Sequence, residues 1–198
     1  MEEKPYALSC DKNSQPILDS LKILLTKQES LLEVGSGTGQ HAIFMAPYLP
    51  QLTWTLSDVQ DRIPGVSLWL RDFPRSNLRG PVEYEVGKTD FPEGDFDVVF
   101  TANTLHIMSW EKCLLFFRDL GAHLKSNSLF IVYGAFNYAG RFTSESNERF
   151  NAWLKDLNPE SGIRNFENVR DKLKECGIEF MEDIEMPANN RLLVFKKS

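Results

Sequence analysis

The amino-acid sequence predicts an α/β domain with a mostly parallel sheet, helices on both faces and an antiparallel last strand. Three observations support this fold class. Short β-rich apolar segments alternate with segments of helical periodicity. A glycine-rich turn follows the first apolar segment directly. The last two apolar segments are joined only by Pro187–Asn190, a link too short for a parallel crossover, so they are expected to pair antiparallel.

Seven strands are predicted from short apolar, β-rich segments. The fifth is apolar at nearly every position, as expected for a strand that is buried on both faces. In chain order the predicted strands are Ser30–Val34, Leu52–Leu56, Val82–Val86, Phe96–Phe100, Leu129–Tyr133, Ile178–Met186 and Arg191–Lys196. Five parallel strands and a terminal antiparallel pair make a seven-stranded, Rossmann-like sheet.

Helices are predicted where apolar residues recur at helical spacing. Pro16 suits the first turn of a helix, whereas Pro47 and Gly177 mark helix ends. The predicted helices are 15–27, Gln40–Ala46, Ile63–Arg71, Trp110–Leu120, Arg149–Lys155 and Phe166–Cys176. Residues 1–13 are expected to form an N-terminal arm. Residues 134–162 are expected to form a long polar excursion on the ligand side of the sheet, and the whole chain, 1–198, a single domain.

Composition argues against several classes of protein, although net charge leaves a local basic patch possible. The net charge is -6 and no run of five or six Lys or Arg occurs, so the electrostatic footprint of a duplex nucleic-acid binder is missing. The N-terminus lacks the apolar core of a signal peptide, and no apolar run approaches the ~18 residues of a membrane span. Cys10, Cys113 and Cys176 are far apart, which fits a reducing compartment. The sequence therefore predicts a soluble cytoplasmic protein.

The glycine-rich turn is the strongest local signal of function. Its glycines, at 35, 37 and 39, let the backbone leave the strand sharply and approach a ligand at the carboxyl end of the sheet. A dinucleotide site would need its third glycine at position 40, which is Gln40, and a P-loop would need Gly-Lys-Ser/Thr. Glu33, before the turn, is better tolerated beside a sulfonium and an ammonium group than beside a pyrophosphate.

A second acid supports a nucleoside ligand. Asp58 follows the second predicted strand, where a carboxylate accepts two hydrogen bonds from ribose hydroxyls. The alternatives without a ligand are a tight strand–helix turn and a helix N-terminal acid. The two signals together favour a nucleoside ligand, and the sulfonium and ammonium groups of S-adenosylmethionine suit Glu33 better than a dinucleotide does. The residues predicted to bind S-adenosylmethionine here are Glu33, Gly35, Ser36, Gly37, Thr38, Gly39 and Asp58.

Two later loops complete the predicted cofactor site. Asp90, or the backbone of 87–89, follows the third strand, where adenine is expected, although a polar turn explains it equally well. Asn103 follows the fourth strand and is expected beside the methionyl part and the reacting methyl. His106 is the candidate catalytic base or substrate contact; the alternative is a loop histidine that bonds its neighbours.

Five segments resemble one family. They are Leu32–His41, Ala102–Glu111, Tyr133–Tyr138, Phe142–Asn147 and Met186–Asn190. They resemble the domain of unknown function 938 family, the group that includes methyltransferase-like protein 26, from about Ser14 to the C-terminus. The acid-x-G-x-G-x-G pattern is similar to the first motif of all class I methyltransferases. The resemblance implies the class I methyltransferase fold and an S-adenosylmethionine site, but no particular substrate.

The acceptor site is expected in the excursion after the fifth strand, because long loops rich in hydrogen-bonding groups are usually functional. Its predicted substrate residues are His106, Tyr133, Asn137, Tyr138, Asn147 and Asn189, with Ser144 and Ser146 nearby. A turn is the alternative for Asn189. Methyl transfer needs no metal, and the sequence has no cluster with metal-ligand spacing.

The sequence predicts transfer of a methyl group to a small polar acceptor, with S-adenosylhomocysteine as the other product. A non-catalytic module that binds S-adenosylmethionine or S-adenosylhomocysteine remains an alternative, because fold alone does not separate the two. A nucleic-acid methyltransferase is disfavoured by the acidic charge and by Ala102–Leu105 standing where an Asn/Asp-Pro-Pro-aromatic motif would be. A protein acceptor remains open.

Overall fold

A computed structural model describes residues 4–198 and contains a seven-stranded sheet. Its strands are β1 (Ser30–Val34), β2 (Thr53–Asp58), β3 (Leu78–Glu83), β4 (Val98–Ala102), β5 (Leu129–Gly134), β8 (Ile178–Met186) and β9 (Asn190–Lys197), and a separate two-stranded sheet holds β6 (Phe136–Asn137) and β7 (Arg164–Asn165). The strand order in the large sheet is β3-β2-β1-β4-β5-β9-β8, and β9 pairs antiparallel with both β5 and β8. The predicted Rossmann-like sheet with an antiparallel last strand is confirmed.

Helices separate most of the strands. They are α1 (Leu8–Leu24), α2 (Gln40–Met45), α3 (Ile63–Asp72), α4 (Thr104–Ile107), α5 (Trp110–His123), α6 (Glu145–Leu157) and α7 (Phe166–Glu175). Short 3₁₀ turns follow α2, precede α3 and separate β8 from β9. Within residues 4–198 no helix is both long and apolar enough to cross a membrane.

The prediction of an N-terminal arm over 1–13 is wrong from Leu8 onwards, and residues 1–3 lie outside the described part. Helix α1 begins at Leu8 and contains Pro16 in its interior. The first half of α1 is held by α2, since the side-chain oxygen of Asn13 accepts from Nε2 of His41 at 2.7 Å and the side-chain amide of Gln40 donates to Asp11 at 3.1 Å. These tertiary contacts outweigh the helix-breaking tendency of the proline.

Two other predicted boundaries move for identifiable reasons. Helix α6 begins at Glu145 rather than Arg149, because the Ser144 hydroxyl accepts from the amide of Asn147 and caps it. Strand β3 begins at Leu78, before the predicted Val82. Gly80 permits this, since a Cβ there would lie 2.7 Å from the carbonyl oxygen of Leu56 on the neighbouring strand.

Contacts divide the chain into two compact units, one that ends at Phe100 and one that begins at Thr101. In the N-terminal unit β1 pairs parallel with β2, and the rings of Trp54 and Phe100 pack edge to face in the core. In the C-terminal unit β9 lies between β5 and β8, and Phe130 contacts both Phe116 and Phe195. Residues predicted to have a function occur in both units.

Candidate functional site

The glycine turn, Gly35–Gly39, leaves β1 through three glycines in the left-handed region, with φ of 73°, 61° and 82°. Few other residues adopt this conformation without strain. The amides of Gly35 and Ser36 both donate to the Ser57 carbonyl at 3.0 Å, which joins the turn to β2. The Ser36 hydroxyl accepts from the Ser57 amide. The turn is therefore a fixed structure, and its serine serves the fold rather than presenting a free hydroxyl.

Gly37 and Gly39 face different surroundings. A Cβ on Gly39 would lie 3.4 Å from Val66 and 3.5 Å from Leu56, so this glycine packs against the interior. A Cβ on Gly37 would meet nothing within 4 Å. The backbone at Gly37 thus borders open space, as the ligand-facing position of such a turn should.

Asp58 stands at the end of β2 beside this open backbone. Its Oδ2 accepts from the Gly37 amide at 2.6 Å and its Oδ1 from the Val59 amide at 2.8 Å. Burial raises the pKa of the carboxyl, and the two backbone amides oppose that rise. Each carboxylate oxygen has a second acceptor site. The side chain is thus oriented and retains capacity for two further donors.

Glu33 lies beneath the turn rather than in the open space. It is 1% exposed, and its Oε2 accepts from the Trp54 indole at 3.1 Å. Its Oε1 is buried without a hydrogen-bond partner among residues 4–198, and the nearest histidine nitrogen, Nδ1 of His41, lies 3.9 Å away. Burial raises the pKa of Glu33 to about 8. At pH 7 the carboxyl is mostly protonated, so it does not present the full negative charge on which the predicted preference for a sulfonium depended.

The start of α1 and the residue before it bind Gln40, directly after the turn, and the sequence pattern did not reveal these contacts. The Thr38 hydroxyl donates to the side-chain oxygen of Gln40 at 2.8 Å, and the same oxygen accepts from the Ala7 amide at 2.7 Å. His41 is buried and burial lowers its pKa to about 4. A run of polar side chains at the start of α1 was the available signal, but only the tertiary structure shows what they bind.

The segment after β3 contains Asp90, the predicted adenine contact. Asp90 is exposed and follows a turn in which the amide of Glu85 donates to the Thr89 hydroxyl at 2.9 Å. Nearby, Tyr84 and Phe91 are buried and pack edge to face with ring centroids 5.4 Å apart. The role of Asp90 stays a prediction.

In the C-terminal unit, Asn103 takes a left-handed conformation at the end of β4. Its φ is 60° and its amide donates to the Tyr133 carbonyl at 2.8 Å. Non-glycine residues in this conformation are uncommon and cluster at functional sites. Tyr133 itself is 3% exposed on β5. Its backbone carbonyl fixes Asn103, and its predicted contact with a substrate stays a prediction.

The structure does not suit His106 to the predicted role of general base. The side chain is 1% exposed, and its Nε2 accepts from the Ala135 amide at 3.0 Å. Nδ1 then carries the proton, and it is buried without a partner among residues 4–198. Burial, reinforced by Arg164, lowers its pKa to about 3. The lone pair on Nε2, the only one on the neutral ring, already accepts a hydrogen bond. His106 therefore fits the alternative prediction, a loop histidine that bonds its neighbours.

His106 instead holds the excursion at both ends. Its ring binds the amide of Ala135 just after β5, and its carbonyl accepts from the Gly162 amide at 2.8 Å. Arg164 adds hydrogen bonds to the carbonyls of Leu105, Met108 and Glu160. Carbonyl oxygens at the end of α4 are thereby satisfied by Gly162, at the far end of the excursion, and by Arg164, just beyond it.

The side chains of two further predicted substrate residues bind within the protein. The Tyr138 hydroxyl donates to Asp183 at 2.6 Å, and Asp183 also accepts from Arg191 at 2.6 Å. Burial and Asp183 raise the pKa of Tyr138. Asn147 is 4% exposed and its amide donates to the Thr143 hydroxyl and the Asn189 carbonyl. The Asn147 contacts join the start of α6 to the turn before β9, and the Tyr138 contact joins the segment after β6 to β8. Both side chains therefore serve the fold, and their contact with a substrate stays a prediction.

Asn189 takes φ of 58°, so the alternative of a turn residue describes it. Asn137 is different, because its side-chain oxygen is buried with no hydrogen-bond partner among residues 4–198. Asn165 and Glu167, which the sequence did not single out, also have such an oxygen. Of the predicted substrate residues in the excursion, Asn137 alone shows an unmet hydrogen-bonding requirement of this kind.

Comparisons place this architecture among known proteins. A family model described as a protein of unknown function (DUF938) matches residues 4–197. An O-methyltransferase family protein from Burkholderia thailandensis superposes with a TM-score of 0.80 at 15% identity, over 93% of this chain and 56% of that one. Human N-acetylserotonin methyltransferase, solved in complex with SAM, gives a TM-score of 0.79 at 16% identity, over 96% and 53%.

An O-methyltransferase family 2 protein from Planctomyces limnophilus, solved in complex with apigenin, gives a TM-score of 0.81 at 16% identity, over 94% and 56%. The chain thus spans just over half the length of each of these structures. At such identities the likeness shows a shared fold.

Proposed function

The chain belongs to the DUF938 family, and we propose that it transfers the methyl group of S-adenosylmethionine to a small polar acceptor. The observation that carries the proposal is the open space beside Gly37 with the oriented carboxylate of Asp58 at its border. The fold it shares with proteins named as methyltransferases, one of them solved with SAM, supports the same reading. The proposal takes residues 1–198 as one domain of this kind.

The residues of the N-terminal unit fit the cofactor. Asp58 retains acceptor capacity for both ribose hydroxyls, since each of its oxygens accepts only one backbone amide. The bare backbone of Gly37 permits close approach of the nucleoside. The buried, unpartnered Oε1 of Glu33 lies under the same turn. A contact between the cofactor and Ser36 or Thr38 would use backbone groups, because their hydroxyls bind Ser57, Glu33 and Gln40.

When bound, S-adenosylmethionine supplies a methyl group that its sulfonium already activates. The chain then has to orient the acceptor and exclude water. Asn103, fixed by the Tyr133 carbonyl, and Asn137, with its unpartnered oxygen, are the proposed contacts of the C-terminal unit. His106 acts by positioning the excursion rather than by taking a proton.

A second candidate is a non-catalytic module that binds S-adenosylmethionine or S-adenosylhomocysteine. The observation that favours it is the engagement of His106, the predicted base, in a structural hydrogen bond. Release of S-adenosylhomocysteine separates the two functions. The purified protein is incubated with S-adenosylmethionine and, in parallel, with a metabolite filtrate below about 1 kDa, total RNA or a protein fraction.

We expect enzyme-dependent release of S-adenosylhomocysteine with the filtrate alone. Release only with RNA or with protein would redirect the proposal to those acceptors. Tight cofactor binding without release in any arm would favour the non-catalytic module. The absence of binding would remove both.

A further inference from the structure

Three unpartnered acceptors lie in one part of the C-terminal unit. Oδ1 of Asn137, Oδ1 of Asn165 and Oε2 of Glu167 are buried and have no hydrogen-bond partner among residues 4–198. A buried acceptor without a donor loses its hydration and gains nothing in return, so such atoms are rare in folded proteins. Three of them occur on residues that a strand pairing and one hydrogen bond bring near one another.

The backbone brings these residues together. Asn137 on β6 and Asn165 on β7 are direct partners in a parallel ladder. Side chains of paired residues project to the same face of a sheet. Asn165 precedes helix α7 but its side chain does not cap it, although asparagine at this position usually does. Its oxygen is therefore left for another donor.

Glu167 reaches the same neighbourhood from the first turn of α7. Its Oε1 accepts from the amide of Ala139 at 3.0 Å, and Ala139 lies in the tight turn that follows β6. This bond holds the carboxylate beside the end of β6, where Asn137 is located. The second oxygen of the same carboxylate is the unpartnered one.

Two arginines that are close in sequence to Asn165 and Glu167 bind other groups. The guanidinium of Arg164 donates to the carbonyls of Leu105, Met108 and Glu160. That of Arg170 pairs with Asp171 at 2.8 Å. The site therefore combines one carboxylate with two neutral oxygens, all acceptors.

We propose that Asn137, Asn165 and Glu167 form a binding site for a protonated primary amine. An R–NH₃⁺ group has three donors, no acceptor and one positive charge, which matches three acceptor oxygens and one carboxylate. A single water molecule would match these oxygens less well, because it has two donors and no charge. That this amine belongs to the methyl acceptor rests on the function proposed above; the binding of the amine does not.

The probe is n-butylammonium chloride, titrated into the full-length ¹⁵N-labelled protein while side-chain amide signals are followed by NMR. n-Butanol controls for the alkyl chain, n-butyltrimethylammonium for charge without N–H donors, and potassium chloride for ionic strength and a bare monovalent cation. We expect saturable shifts of the Asn137 and Asn165 amide signals with n-butylammonium alone. Equal shifts with butanol, with the trimethylated ion or with potassium, or no shift with any of them, would overturn the proposal.

Substitutions that conserve shape test the charge. Glu167→Gln keeps an oxygen for the Ala139 amide but removes the carboxylate, so the affinity for n-butylammonium should fall at least about tenfold. Asn165→Asp adds a second carboxylate and should raise the affinity. Glu175→Gln makes the same charge change at the exposed end of α7 and should alter the affinity less than twofold. Equal effects of Glu167→Gln and Glu175→Gln would contradict the site.

Binding of S-adenosylhomocysteine, measured separately by calorimetry, distinguishes the two proposals. Amine binding without nucleoside binding would leave this site standing and remove the methyl-transfer function. Nucleoside binding without amine binding would remove this site alone.

Discussion

Gly37 and Gly39 share a left-handed backbone but differ in what surrounds them. Gly39 lacks a side chain because Val66 and Leu56 leave little room, whereas Gly37 borders open space. The role of Glu33, like those of the two glycines, becomes clear only from the structure. From the sequence it was an acid near the ligand, but burial against Trp54 makes it a mostly neutral group at pH 7. The glycine spacing was predictable, while the environment of each side chain depended on tertiary packing.

Glu33→Gln should flatten the pH dependence of stability. Burial raises the pKa of Glu33 from 4.5 to about 8, so the native state holds a proton that the unfolded state releases. The stability linked to this group is complete below about pH 4.5 and is lost as the pH rises to about 8. Urea unfolding at pH 5 and 8.5 should show a decline that is smaller in the variant by a few kcal/mol.

The exposed Glu83→Gln serves as the control, since its carboxyl is solvated. It should follow the pH profile of the wild type. Identical profiles for Glu33→Gln and the wild type would show that Glu33 does not hold its proton in the folded protein.

Gly37→Val should abolish binding of S-adenosylhomocysteine while the protein remains folded. The new side chain enters open space, so it obstructs a ligand rather than the core. Backbone strain at φ of 61° should lower stability by roughly 1–2 kcal/mol. Gly140→Val is a matched control, because Gly140 has φ of 73° and open space around its Cβ. Both variants should lose similar stability, and full binding by Gly37→Val would place the ligand elsewhere.

Among the elements, the sheet was the most predictable and the ends of α1 and the excursion the least. Alternating apolar segments specify strands through local pattern, so β1 and β8 begin and end as predicted. Helix α1 continues through Pro16 because α2 binds its polar residues. The excursion is closed by His106 and Arg164 through backbone groups that are distant in sequence. Contacts between residues so far apart in the chain cannot be predicted from a local sequence pattern.

The junction of β5 and the excursion should be sensitive to one methyl group. A Cβ on Gly134 would overlap the imidazole of His106, so Gly134→Ala should displace the ring and break its bond with the Ala135 amide. We expect a loss of about 2–3 kcal/mol in urea unfolding. In a His106→Ala background the same substitution should cost less, because the overlapping ring is gone. Additive effects of the two substitutions would contradict this packing.

In the whole molecule, a fold shared with other proteins carries its own arrangement of side chains. The strand order and the antiparallel last strand were predictable because short links and apolar patterns limit the possible topologies. The unpartnered oxygens of Asn165 and Glu167 were not, since neither residue stands in a motif and their significance comes from the pairing of β6 with β7. The fold limits the kinds of ligand that the protein is expected to bind, and the side chains determine where a ligand binds.

Calorimetric titration with S-adenosylhomocysteine tests the central claim most directly. Asp58→Ala removes the oriented acceptor of the proposed ribose contact, and the neighbouring, exposed Asp61→Ala makes the same charge change. We expect saturable binding by the wild type and Asp61→Ala within about twofold of each other, and binding by folded Asp58→Ala that is at least about tenfold weaker. No binding by the wild type, or unchanged affinity in folded Asp58→Ala, would contradict the account.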